Sequence, residues 1–105
     1  MIPFNANYLP LKSTPKYIIF NYYIAKGLYI TDGAKFGADY LLYQHDPLVC
    51  HAVSLVFIHA TCPSAMEMIR CQRLSANVKK SAILIVFTDK EEFKEYIVNR
   101  MQFHN

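Results

Sequence analysis

The chain has 105 residues, 53% hydrophobic and 18% charged, with a formal net charge of +3. That is the length of one domain, and so many apolar groups argue against intrinsic disorder and against a multidomain machine. The longest apolar run, Ala82 to Phe87, falls far short of the roughly 20 residues needed to cross a bilayer, so no membrane span is expected.

The elements are predicted in chain order. Prolines at 3, 10 and 15 make residues 1–13 an irregular arm, and the ordered domain is expected over residues 14–105. Thr14 can cap a helix with Pro15 at its first position; Tyr17, Ile18, Tyr22 and Ala25 recur at helical spacing until Gly27 stops it. Leu28–Thr31 reads as a strand, Asp32-Gly33 as a tight turn and Asp39–Tyr43 as the returning strand, with Gly37 at a bulge or a close backbone approach. After the Asp46-Pro47 turn comes a strand-like run from Cys50 to Ile58, in which His51, Val53, Leu55 and Phe57 share one face. Ser64 and Glu67 form a capping box that opens a helix over residues 65–77. Ala82–Phe87 suits a strand buried on both faces, and Tyr96–Met101 reads as a last strand. The order predicts a compact α/β (α+β) domain with a mixed sheet flanked by helices. The apolar surplus points to a surface covered by a partner.

Charge is unevenly placed. Arg70, Arg73, Lys79 and Lys80 form a basic stretch free of acids, followed by an acidic segment from Asp89 to Glu95. This pattern suits a polyanion on one side and a basic partner on the other. Cys50, Cys62 and Cys71 are an odd count without paired spacing, which points to a reducing compartment. The cysteines and histidines lack zinc-site spacing, no Gly-Lys-Ser/Thr phosphate loop follows a glycine, and Cys50-His51, on opposite faces of a strand, do not make a nucleophile pair. What remains is acid/base chemistry from Tyr, His and Lys, without metal or cofactor. On RNA such a set needs no nucleophile of its own, because the 2′-hydroxyl can attack the adjacent phosphate.

The segment Asp32-Gly33-Ala34-Lys35-Phe36-Gly37-Ala38-Asp39-Tyr40-Leu41-Leu42-Tyr43 resembles the signature of the catalytic domain of tRNA-splicing (tRNA-intron) endonuclease subunits. The resemblance continues through Asp46-Pro47, His51-Ala52, Arg73 and Val78-Lys79-Lys80, and so spans Tyr17 to about Met101 in order. It implies Tyr43 as general base on the 2′-hydroxyl, His51 as general acid on the 5′-oxygen and Lys80 as the cation that stabilises the transition state. It also implies a stacking role for Arg73 on a bulged base of a precursor tRNA. The implied products are a 2′,3′-cyclic phosphate and a 5′-hydroxyl.

The chain departs from the family pattern in two ways. The tryptophan usual near the end of the domain is replaced at Met101, so Tyr96, Phe103 or another subunit would grip the substrate. Only about 13 residues precede the first helix, which makes measurement of a whole tRNA by this chain alone implausible and implies other splicing endonuclease subunits in a heterotetramer or a homo-oligomer. The short Tyr43–His51 connection resembles the eukaryotic catalytic subunits, which implies a nuclear location, or a cytoplasmic one in a prokaryote. Two alternatives are a non-catalytic structural subunit of the same complex and a general small RNA-binding domain.

Overall fold

The computed structural model describes residues 14–98; the arm at residues 1–13, Met101 and Phe103 lie outside them. Helix α1 (Pro15–Ala25) begins as its sequence dictates, with Thr14 Oγ1 accepting from the Tyr17 amide at 3.3 Å and Pro15 filling the first turn. It ends at Gly27, whose φ of +83° lets the Leu28 amide turn back to the Tyr23 carbonyl at 3.1 Å. Strands β1 (Tyr29–Asp32) and β2 (Tyr40–Tyr43) follow, then β3 (Ser54–His59), helix α2 (Ala65–Asn77), β4 (Ser81–Phe87) and β5 (Phe93–Val98). The five strands form one mixed sheet in the order β1-β2-β3-β4-β5, antiparallel except for the parallel β3–β4 pair that α2 connects. The predicted α+β architecture is therefore the observed one.

Both faces of the sheet are covered. Ile83, Ile85 and Phe87 of β4 join Ile19 and Tyr23 of α1 in one core, while Ala82 and Leu84 join Leu55, Phe57 and Cys71 of α2 in the other. Period-two alternation of a strand between two apolar layers is why Ala82–Phe87 carries no polar residue. The acidic segment supplies one long tie: the Tyr22 and Tyr23 hydroxyls both donate to Glu95 on β5, and Tyr22 packs edge-on to Phe93 at 5.0 Å. Helix α1 is thereby fixed to the far edge of the sheet. Burial and the Glu95 carboxylate push the Tyr23 phenol well above its ordinary pKa, so it stays a donor.

Two expectations are corrected. The last strand begins at Phe93, three residues before the expected Tyr96, because β5 pairs with β4 straight out of a short turn in which Thr88 N–H bonds the Glu92 carbonyl at 2.8 Å; the rest of the expected span, beyond Val98, lies outside the described residues. The third strand begins at Ser54, so His51 and Cys50 belong to a loop and not to a strand face. The Cys50 thiol instead donates to the His45 carbonyl at 3.3 Å.

The signature segment is mostly a structural turn. The Asp32 carboxylate accepts from the Ala34 amide, a single 3₁₀ turn spans Ala34–Phe36, and Gly37 ends it at φ +76°. Asp39 then uses its carboxylate to accept from the Ile58 amide at 2.7 Å, extending the β2–β3 ladder past the strand end. A Cβ on Gly33 would stand 2.8 Å from the Tyr40 carbonyl carbon, a backbone atom that cannot move aside. Gly33→Ala is expected to destabilise the domain by about 1–3 kcal/mol, read as a lower midpoint in urea with an unchanged slope.

Candidate active site

The site is assembled by strand ends. Tyr43 is the last residue of β2, His51 lies just ahead of β3 and Lys80 just ahead of β4. The chain at Val53 is hydrogen-bonded on both sides at this end: its amide reaches the Leu42 carbonyl at 2.9 Å, and its carbonyl accepts from Ser81 at 3.2 Å. Residues adjoining these three bonded positions must therefore share one rim of the sheet. Lys80 closes the arrangement, with Nζ donating to the Ala52 carbonyl at 2.9 Å, directly beside His51. An ammonium has three hydrogens, so two remain for another oxygen. Tyr43 packs against the core layer that contains Ala52 and Val78, on the same face as α2. No side-chain hydrogen bond holds its hydroxyl among the described residues. His51 is exposed.

The helix end that delivers Lys80 has an unusual residue. Helix α2 stops through the same pair of bonds as α1, Lys79 N–H to the Ala76 carbonyl and Lys80 N–H to the Ser75 carbonyl at 2.9 Å. The position that α1 fills with Gly27 is here Lys79, at φ +59°. A side chain in the left-handed region costs about 1–2 kcal/mol, and that cost is met by the packing of Val78 and the start of β4.

Arg73 is not part of the rim cluster. It is exposed on α2, about two turns before Lys80, along an open cavity of about 560 Å³ shared with Met66, Ile69 and Asn77. Of the basic stretch, Arg70 is already committed: its guanidinium forks onto Glu67 at 2.7 and 2.9 Å and reaches the Gly37 carbonyl at 3.4 Å. Arg73 and Lys79 are left as exposed charge.

At the opposite end of the sheet, sequence spacing did not reveal a cluster of His59, Glu67 and Cys71, whose donor atoms lie within 4.8 Å of one another. His59 Nε2 lies 3.1 Å from Glu67, and the Cys71 thiol donates to the same carboxylate at 3.6 Å. The set could touch a metal ion, but both Glu67 oxygens are engaged by Arg70. Burial, reinforced by the Glu67 charge, pushes the Cys71 thiol up to about 12, away from the thiolate a soft metal needs. The cluster is a tie between β3, α2 and the Gly37 turn. Only half of the expected capping box forms: Ser64 Oγ accepts from the Glu67 amide, but the Glu67 carboxylate turns to Arg70 and His59 instead of reaching back to the Ser64 amide.

Two outcomes follow. Lys79→Gly is expected to raise stability by about 0.5–1 kcal/mol, seen as a rise of a few degrees in the thermal midpoint. Hydrogen bonds from Arg70, then from His59, hold the Glu67 carboxyl down at about 2. A carboxyl lowered by folding stabilises fully above its unfolded value and loses that contribution as it becomes protonated. The stability gap between the parent chain and Glu67→Gln is thus expected to shrink as pH falls from above about 4.5 to about 2, measured by urea titration at each pH.

The family model described as tRNA intron endonuclease, catalytic C-terminal domain, matches residues 14–96, and so covers both helices, the first four strands and most of β5. No curated protein matches the chain. The matched span includes the Gly33–Asp39 turn, the rim with Tyr43, His51 and Lys80, and the Arg73 face of α2, and the chain therefore belongs to the tRNA intron endonuclease family through its catalytic C-terminal domain.

Proposed function

We propose that this chain is a catalytic subunit of a tRNA-splicing endonuclease, cutting precursor tRNA at intron boundaries. What supports the reading is the convergence of Tyr43, His51 and Lys80 on one rim, from three segments that are 8 to 37 positions apart in the sequence. Tyr43 takes the proton from the 2′-hydroxyl of the nucleotide before the cut. The 2′-oxygen then bonds to phosphorus, the bond from phosphorus to the 5′-oxygen breaks, and His51 gives its proton to that leaving oxygen. Lys80 neutralises the extra charge on the phosphoryl oxygens as it develops, a role its remaining ammonium hydrogens suit. The products are a 2′,3′-cyclic phosphate and a 5′-hydroxyl, with no water or metal in the balance. Arg73, exposed and planar, stacks on an unpaired base.

The chain acts with other splicing endonuclease subunits, in a heterotetramer located in the nucleus. Half-exposed Tyr96 and exposed Ile97 on the edge strand β5 fit a subunit contact. The test is cleavage of an intron-bearing precursor tRNA in EDTA by the complex isolated through a tag on this chain. His51→Ala is expected to slow cleavage by about 10²–10⁴-fold while RNA binding persists. Wild-type cutting of both splice sites by His51→Ala overturns the assignment of that residue and favours a structural subunit. Binding indifferent to the intron favours a general RNA-binding domain.

A further inference from the structure

Strand order gives the RNA a direction across this rim. Neighbouring strands are spaced about 4.8 Å apart, and the order β1-β2-β3-β4 places Tyr29, Tyr43, the His51-Ala52 segment and Lys80 side by side in that sequence. Tyr29 is directly opposite Tyr43 in the β1–β2 register, so their side chains rise from the same face with Cβ atoms about 5 Å apart. The adjacent Ile30 points the other way, into the α1 core. Tyr29 is 39% exposed on an edge strand, and its hydroxyl makes no side-chain hydrogen bond among the described residues. An aromatic ring left half in water beside a site has a free face for stacking.

We infer that Tyr29 is the stacking platform for the base on the 5′ side of the cut, and that the RNA runs 5′ to 3′ from β1 toward β3 and β4. The inference rests on the proposed roles of Tyr43 and His51. The base that meets the 2′-hydroxyl belongs to the upstream nucleotide, and the acid that meets the 5′-oxygen belongs to the downstream one. With Tyr43 on β2 and His51 on the β3 side, the upstream nucleotide must lie toward β1, where Tyr29 stands one strand farther out. The reach from a ribose 2′-oxygen to its own base is comparable to that one-strand step. Stacking tolerates any base, so Tyr29 would hold the nucleotide without reading its identity. This suits an enzyme that must cut introns of differing sequence. It also assigns a use to an aromatic that the Tyr/His/Lys chemistry leaves idle.

The test uses the tagged complex and a precursor tRNA that is intact, or lacks the base immediately 5′ or immediately 3′ of the cut. Tyr29→Ala and Tyr29→Val, the latter keeping a strand-forming side chain, are expected to lower kcat/KM by roughly 10- to 100-fold, while Tyr29→Phe stays within about twofold because its ring is intact. Loss of the 5′ base should cost the parent complex about as much and cost Tyr29→Val nothing further. Loss of the 3′ base should leave the Tyr29→Val defect in full. Parent-level cleavage by Tyr29→Val while His51→Ala is inactive overturns the inference and leaves the proposed function standing, as does a 5′-base effect that multiplies with Tyr29→Val. Absence of cleavage by the parent complex, or unchanged cleavage by His51→Ala, overturns both. Should the Tyr29 variants fail to assemble, the parent complex decides: a 3′ abasic position at least as damaging as the 5′ one overturns the inference.

Discussion

The parallel pairing of β3 with β4 is the constraint from which the rest follows. Ser54 is opposite Ser81, so the segments leading into the two strands must arrive at the same rim, one carrying His51 and the other Lys80. Parallel neighbours cannot be joined by a tight turn, and α2 is the crossover that the pairing demands. The helix must then end abruptly to feed β4, which it does by placing Lys79 in a backbone region that a glycine would occupy more easily. The Lys80 bond to the Ala52 carbonyl links the two strand approaches directly and at the same time orients the ammonium.

Around that pair the architecture works to keep the rim rigid. The sheet is sealed on one face by α1 and on the other by α2, so β3 and β4 contribute side chains to both cores. The Asp39 carboxylate continues the β2–β3 ladder beyond the last paired residue, and the Arg70–Glu67–His59 tie locks α2 to β3 at the far end. Groups that carry chemistry gain from such support, because small displacements of an acid or base from its reacting atom are costly. Much of the family signature is thus turn and ladder chemistry. Gly33 and Asp39 shape the backbone, and Tyr43 alone in that segment stands at the rim.

Several features were legible because they are local. Thr14-Pro15, Gly27 and the Ser64 cap set helix limits through bonds spanning three to five residues, and those limits are reproduced in the structure. Other boundaries were misjudged where long-range pairing outweighed local pattern. His51 alternates correctly with Val53 and Leu55, yet it falls outside β3 because the partner strands bond only from Val53 onward. Phe93–Glu95 is charged enough to pass for a turn, but Glu95 is drawn into the sheet by the two tyrosines of α1 and Phe93 by Tyr22 and Phe87.

By itself the sequence determined the number and kind of elements, the apolar strand at the centre and the family to which the residues around Tyr43, His51 and Lys80 belong. Those properties are written in periodicity, capping and motif spacing, each readable within a short window. Only the tertiary structure decided which strand lies beside which, and hence that Tyr29 faces Tyr43 and that Arg70 is committed to Glu67 while Arg73 is exposed. Register and side-chain partnering depend on groups distant in the chain. A composition that first read as a surplus of apolar residues resolved into a sheet covered on both faces, with exposed aromatic and aliphatic groups left at its two edges.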